Sequence, residues 1–380
     1  MSSQQKIIEE LLALTDIEVN GSRPWDIQVL NDNFYSRVLK DPSMQMGETY
    51  MDGWWESDRL DETINKLLRA KLGYKLRKNK RLAWRIMMAK LLNFQAKDKA
   101  FVVGEKHYDI GNDLYRAMLD PRMIYTCAYF RDTDNLDLAQ EAKLDMVCKK
   151  LNLQKGQKVL DIGCGWGGFL KYAAEKYGVE GVGISVSKEQ IAYGQEMCRD
   201  LPIELRLQDY RDINEKFDHV ISLGMFEHVG YKNYRTYMEV VHKALKNEGC
   251  FLLHTIGLHF SVVKGGSWLS KYIFPGAMLP SVTQIGKASE RLFIIEDMHN
   301  IGPYYDRTLM CWFENFDARY PELKEKYDER FYRMWKYYLL SSAGNFRSRD
   351  AQVWQILLSK GRQLCGFEHC RGGWNVRSLS

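Results

Sequence analysis

Residues 159–168 read VLDIGCGWGG, and this stretch decides the fold. Val159 and Leu160 suit a buried strand, Asp161 stands at its carboxyl end, and Gly163, Gly165 and Gly167 let the backbone turn sharply against a ligand. Glycine turns after a first strand serve nicotinamide, flavin and methyl-donor enzymes alike, so the spacing alone does not choose among them. The acid narrows the choice. A carboxylate beside the turn repels a dinucleotide pyrophosphate, whereas its negative field draws the amino group and sulfonium of S-adenosylmethionine. The stretch therefore points to a methyl-donor pocket, against the plainer alternative of a structural strand-to-helix turn.

Downstream, apolar strands and amphipathic helices alternate. KVLDIG leads into FLKYAAEKYG, then GVGIS, the helix KEQIAYGQEMCRD, and the strands IELRLQD, DHVISLGM and CFLLHTIG. This order predicts an α/β fold, a parallel sheet with helices on both faces, whose ligand site lies beyond the carboxyl ends of the strands. Asp161, Ser185, Asp209, Glu227 and His254 all fall at or just after such ends, so the topology lets them converge. A long aromatic insertion, KGGSWLSKYIFPGAMLPS (264–281), follows as a lid or substrate wall, and QVWQILLSK (352–360) reads as a closing strand.

The second strand ends in Gly183-Ile184-Ser185, where this type of pocket often carries an acid for the ribose hydroxyls. Neutral groups must replace it, and Ser185 and Gln190 can offer hydrogen bonds. Asp209 and Tyr210 can bind and stack an adenine. Glu227 and His228 follow the fourth strand, where a transferred methyl should lie; His228 reads as a helix-start residue without a chemical role. His254 ends the fifth strand and points to the same cleft, or is a buried structural histidine.

With 380 residues the chain can bury a large core and suggests two domains or one with a substantial extension. Its 45% hydrophobic and 27% charged residues are ordinary for a soluble globular protein. No run approaches a membrane span, and MSSQQKIIEE is no secretory signal, which predicts a cytoplasmic protein. Eight cysteines include no C-x-x-C pair, and Cys365, His369 and Cys370 lack a second ligand pair, so no metal site is expected. The net charge of +5 is unevenly spread: residues 66–99 hold twelve Lys or Arg against one acid, Asp98. Within that window RLAWRIMMAKLLNF (81–94) places Trp84, Met87, Met88, Leu91 and Phe94 near helical spacing, with Arg81, Arg85 and Lys90 supplying charge. Such a helix can lie on anionic lipid, or be a core helix with a solvated basic face. Nucleic acid is disfavoured by the lack of any recognisable binding module.

As a set, KHYDIGNDLY (106–115), IYTCAYF (124–130), VLDIGCGWGG, QDYRDI (208–213), GMFEHVG (224–230), LLHTIG (252–257) and HNIGPYYDRTL (299–309) resemble the cyclopropane fatty acid synthases and mycolic acid cyclopropane synthases. YMDGWWESDRLD (50–61) resembles the amino-terminal domain of the bacterial phospholipid-acting members, which extends the likeness over almost the whole chain. The resemblance implies a class I S-adenosylmethionine-dependent methyltransferase (Rossmann-like) fold with a small helical N-terminal domain. The expected division is a helical, lipid-interacting domain over 1–100 and a catalytic domain over 101–380. The implied reaction moves a methylene from S-adenosylmethionine across a cis double bond of an unsaturated phospholipid acyl chain.

In the family a bicarbonate ion serves as general base, held by positions that fall on Cys127, Glu227, His254, Ile256 and Tyr305 here. Implied donor contacts are Tyr125 and Thr126; Leu160, Asp161, Ile162, Gly163, Cys164, Gly165, Trp166, Gly167 and Gly168; Gly183, Ile184, Ser185, Val186, Ser187 and Lys188 with Gln190. Asp209 and Tyr210 complete the expected pocket. Tyr129, Phe130, Trp268 and Tyr272 can line a cleft and stabilise positive charge, or simply pack. The resemblance also implies a homodimer peripherally associated with the inner face of the membrane. One departure stands out: some members carry a cysteine in the phrase that reads YYLLSSAG here, where Ser342 argues against an essential thiol. Methylation of a soluble amine, as in plant alkaloid N-methyltransferases, and a lipid-binding protein without catalysis are the competing readings.

Overall fold

The computed structural model describes residues 2–72, 74–75, 110–263 and 265–361. Most of the basic window and the group Cys365, His369 and Cys370 lie outside these residues. The chain divides into two compact units, Met1–Leu114 with Gly265–Pro275 and Leu309–Asp350, and Tyr115–Lys264 with Gly276–Thr308 and Ala351–Ser380. The first unit is thus not confined to the expected 1–100; it takes in two later segments of the expected 101–380 catalytic domain, Gly265–Pro275 and Leu309–Asp350.

Described residues of the first unit are mainly helical, with one short antiparallel pair, β1 (Gln28–Val29) and β2 (Trp55–Glu56). Helix Glu329–Ser348 packs on helix Leu60–Arg69 at Gly344, where a Cβ would stand 2.3 Å from the Asp61 carbonyl oxygen. Phe34, Tyr50, Trp55, Phe331 and Trp335 fill the interior. Trp268 and Tyr272 of the aromatic insertion also belong to this unit. Trp268 is buried with its ring edge-on to Tyr337, and the Tyr272 hydroxyl donates to Glu48 at 2.9 Å, so within the unit both are packing residues.

In the second unit the alternating pattern becomes seven strands: β3 (Lys158–Ile162), β4 (Glu180–Ser185), β5 (Ile203–Leu207), β6 (Phe217–Leu223), β7 (Leu245–Leu258), β8 (Ile294–Asn300) and β9 (Ala351–Ser359). They lie in the order β5-β4-β3-β6-β7-β9-β8. The first five are parallel, while β9 runs antiparallel between β7 and β8. β8, with Glu296 and Asp297 in its middle, is a strand that the apolar pattern did not mark. Strand residues alternate between faces. Val159, Ile221 and Leu252 join one buried cluster with Leu144, Phe169 and Leu170; Leu160, Val220 and Phe251 join the other with Phe226, Tyr237 and Val241. Two cores on one sheet hold it from both sides, each fully buried aliphatic or aromatic side chain contributing roughly 1.5–3 kcal/mol.

The strand order reverses at β3, which pairs with both β4 and β6, and the crevice beyond the strand ends lies there. The glycine turn enters it under tight limits. Gly163, Gly165 and Gly167 have φ of 83°, 55° and 80°, a region that disfavours side chains. At Gly168, where the next helix begins, a Cβ would stand 2.2 Å from the Arg122 carbonyl oxygen. Gly168→Ala should therefore lower the urea midpoint by an amount equivalent to about 1–3 kcal/mol with little change in slope. An unchanged midpoint would mean that the backbones can separate without penalty.

Candidate active site

Beyond β3, each wall of the crevice comes from a different connection. Asp161 is buried at the strand end, and its Oδ1 has no hydrogen-bond partner in the protein. Burial pushes its carboxyl up to about 7, opposed by the charge of Lys143. A Cβ at Gly163 would stand 2.6 Å from that of Met225, whereas one at Gly165 would meet nothing within 4 Å. The turn is thus closed against the chain at Gly163 and open at Gly165. Cys164 and Trp166 are buried, and Trp166 lies against Tyr115, which in turn meets Tyr125 edge-on, with centroids 5.0 and 5.2 Å apart.

At the end of β4, Ser185 Oγ donates to Gln190 Oε1 at 3.1 Å and accepts from the Ser187 amide at 3.2 Å. Ser187 caps helix Lys188–Met197, its side chain accepting from the Gln190 amide, and Val186 is exposed. The serines and Gln190 thus form one hydrogen-bonded loop. Past β5, Asp209 accepts from the Arg211 amide, while Tyr210 is buried against Tyr237 with the Arg211 guanidinium over its ring. Tyr210 therefore sits among core residues as well as beside the strand ends.

A second set of polar groups is more deeply buried. Glu227, in the short helical turn Phe226–His228 after β6, accepts the Ile256 amide at 2.6 Å through Oε1, while its Oε2 is buried without a hydrogen-bond partner. Burial raises its carboxyl to about 7, against the hydrogen bond from Ile256. His254, on β7, pairs in register with Leu223 of β6 and Gln355 of β9. Its Nδ1 lies 3.4 Å from the Gln355 amide nitrogen; a neutral ring accepting there keeps its proton on Nε2. Burial holds this imidazole well below its usual range, with Lys143 and Lys150 adding to the effect.

Cys127 is fully buried, and its thiol donates to the Ile301 carbonyl at 3.7 Å; burial keeps it protonated. The neighbouring Ala128 amide donates to Thr308 Oγ1 at 3.1 Å. These bonds tie residues 127–128 to the start of helix Pro303–Leu323, where Tyr305 is buried. Thr126 lies beside Gly224, where a Cβ would come within 2.9 Å of its methyl. Tyr129 meets His299 and Tyr304 edge-on, and the Arg307 guanidinium covers Phe130. His228 is shielded enough to favour its neutral form. The structure thus links Glu227 to Ile256 and Cys127 to the turn before Tyr305 by direct hydrogen bonds.

Sequence reasoning missed Lys143 and Gln355. Lys143 is wholly buried on helix Leu136–Leu151, donating to Thr126 Oγ1 at 2.7 Å, and Gln140 from the same helix donates to the Thr126 carbonyl at 2.9 Å. One turn pair further along, Lys150 pairs with Asp297 of β8 at 3.3 Å, both side chains nearly inaccessible. The one available signal was that Gln140, Lys143 and Lys150 share the helical stripe of Ala139 and Val147.

The reversed strand order and the glycine turn beside it define a Rossmann-like fold, and the family and relatives that the chain matches make it an S-adenosylmethionine-dependent methyltransferase. The family model for mycolic acid cyclopropane synthetase matches residues 95–356, and the chain belongs to that family. It is 52% identical over 356 residues to the cyclopropane-fatty-acyl-phospholipid synthase of Escherichia coli strain K12, covering 94% of this chain and 93% of that one. Among solved structures, the mycolic acid cyclopropane synthase CmaA1 complexed with SAH and CTAB matches with a TM-score of 0.62 and 31% identity, over 66% of this chain and 95% of that one. Coclaurine N-methyltransferase bound to N-methylheliamine and SAH matches at 0.65 with 22% identity, over 85% and 100%, a likeness of fold alone.

The raised carboxyl of Glu227 has a consequence for stability. Unfolded, it titrates near 4.5, and folded near 7, so the unfolded chain releases this proton first as pH rises. Between those values the folded state loses stability, and above about 7 the loss is constant. Glu227→Gln can still accept from Ile256 but carries no charge. In the ligand-free protein it should be more stable than the parent by roughly 3 kcal/mol at pH 8, the gain falling below about 1 kcal/mol near pH 5 and vanishing at lower pH, as read by denaturant melts across pH. A gain independent of pH would assign the effect to packing instead.

Proposed function

We propose that the protein is a cyclopropane-fatty-acyl-phospholipid synthase, transferring a methylene from S-adenosylmethionine across a cis double bond of an unsaturated phospholipid acyl chain. The observation that carries this reading is the 52% identity to the Escherichia coli enzyme, which spans 94% of the chain and so is not limited to the donor-binding fold. The donor site comprises the 160–168 turn, Tyr125, Thr126, the 183–190 loop, Asp209 and Tyr210. The open space at Gly165 and the unpartnered Asp161 oxygen suit a ligand carrying an amino group and a sulfonium.

The alkene π pair forms a bond to the transferred methyl as the sulfur–methyl bond breaks, giving S-adenosylhomocysteine and a carbocation. Loss of a proton from the new methyl then lets that C–H pair close the three-membered ring. Cys127, Glu227, His254, Ile256 and Tyr305 are the residues that would hold bicarbonate, and the unpartnered buried Oε2 of Glu227 supports a polar occupant. When bound, bicarbonate supplies a general base for that proton. Glu227 accepts a hydrogen bond and His254, protonated on Nε2, donates one, so the pair can orient an anion that is both donor and acceptor. Burial of these groups excludes the water that would trap the cation as an alcohol.

Mass spectrometry of unsaturated phospholipid vesicles incubated with enzyme and S-adenosylmethionine should show one CH₂ gained per double bond, with the alkene consumed. Head-group methylation, which leaves the alkene intact, would favour the amine-methyltransferase reading instead. In this assay Glu227→Gln should lose roughly 10²-fold or more in turnover, with donor affinity little changed. Carbonate-depleted buffer should slow the parent and added bicarbonate restore it. Retained turnover in both tests places the base elsewhere.

Peripheral membrane association and a homodimer belong to the same reading. Among the described residues no helix is long and apolar enough to cross a membrane. Attraction of the 66–99 window to anionic lipid, about 1 kcal/mol per basic side chain near the surface, supports surface binding. Replacing Lys75, Arg77, Lys78, Lys80 and Arg81 by Gln should weaken sedimentation with anionic vesicles and reduce its salt sensitivity. Equal, salt-insensitive binding of the parent to neutral vesicles would make the window a solvated face only.

A further inference from the structure

Lys143 takes no part in the chemistry above, yet its ammonium is placed where an unsupported charge is strongly disfavoured. It is wholly buried, and from helix Leu136–Leu151 it donates to Thr126 Oγ1 at 2.7 Å. The Gln140 amide of the same helix donates to the Thr126 carbonyl at 2.9 Å and to that of Ile124 at 3.4 Å, so the helix grips residues 124–126 at several points. The titratable groups that feel Lys143 are Asp120, Cys127, Asp161 and His254.

Two of these are neutral, Cys127 by burial and His254 likewise. Asp120 is committed to the backbone, accepting the Ile124 amide at 2.9 Å and the Arg122 amide at 3.0 Å. Asp161 differs, because one of its buried oxygens has no partner in the protein. Its other electrostatic neighbours, Cys164 and Tyr237, are a thiol and a phenol, themselves raised by burial. Lys143 is therefore the cation that opposes the desolvation of Asp161, and burial in turn lowers the lysine to about 8.

We propose that Lys143 is a positioning residue of the methyl-donor site, fixing the Thr126 hydroxyl by a hydrogen bond and supplying the positive charge that acts on the buried Asp161 carboxyl. The inference rests on the donor pocket assigned under the proposed function. The hydroxyl and the carboxylate belong to separate connections; the ammonium hydrogen-bonds the first and acts on the second through its charge. Removing it should leave Thr126 without its donor and let Asp161 take up a proton at neutral pH.

The test is calorimetric titration of the full-length protein with S-adenosylhomocysteine between pH 6 and 8.5. Parent affinity should rise as pH passes about 7, where Asp161 ionises. Lys143→Met should move that rise upwards by about one pH unit and weaken binding by about tenfold at pH 7.5. Thr126→Val, which removes the acceptor, should weaken binding without moving the pH midpoint. Parent-like affinity and an unmoved midpoint in Lys143→Met overturn the proposal. If that variant does not fold, parent-like binding by Thr126→Val overturns it. Gly165→Val separates the two levels, because its side chain would fill the open space over the turn. Undiminished affinity in that variant removes the donor pocket itself, whereas lost affinity there with parent-like Lys143→Met removes the lysine's role alone.

Discussion

The close approach of backbone to backbone at residues 163–168 is the constraint on which the second unit depends. Three residues with positive φ bring the chain down onto Met225 on one side, and Gly168 meets the Arg122 carbonyl on the other. The turn therefore fixes three connections at once: the one after β3, the one after β6 and the segment that carries Tyr125, Thr126 and Cys127. Side chains there would separate those connections, and the groups on them would no longer face a common space. Glycine acts here as a spacer of zero thickness, and at Gly165 alone of the three the space beside the turn is left open.

Burial of ionisable groups is the second constraint, and it follows from the first. Asp161, Glu227, His254 and Lys143 sit behind walls that pack too closely for bulk water, so each is shifted towards its neutral form. Proteins tolerate such groups where chemistry uses them, at a cost in stability. The compensation comes from within: Ile256 for Glu227, Gln355 for His254, and Lys143 for Asp161.

Strand β5 was legible in the sequence by its alternation of apolar and charged residues, and β3, β4, β6 and the apolar second half of β7 as short apolar runs closed by a turn or a glycine. β9 was legible for the same reason. β8 was not, since an edge strand exposing Ile294 and Ile295 and carrying two acids has no apolar face to advertise. The membership of 265–275 and 309–350 in the first unit was hidden because periodicity reports which face of a helix is apolar, not what covers it. Asp161 at the end of β3 and Glu227 just past β6 could be placed from topology alone, whereas His254, expected to end its strand, lies inside β7, which continues to Leu258 by pairing with β9. Lys143 could not be placed, since a lysine in an amphipathic helix reads as solvated until the fold shows it buried and bonded to Thr126. Trp268 shows the opposite limit: an aromatic residue in an insertion invites a functional reading that its packing against Tyr337 explains without one.

The antiparallel β9 lies between β7 and β8, although it is made after both. During synthesis, β7 must wait for about a hundred residues with its outer edge unpaired, and β8 has no neighbour on which to dock. Such a delay favours slow folding and prolonged exposure of an apolar edge, a natural demand for chaperone protection. It also imposes an order of assembly. Gln355 reaches His254 only when β9 inserts, so the imidazole gains its side-chain partner as the sheet is completed. A nascent chain can shape the glycine turn early, but it gains this contact to His254 only at that final insertion.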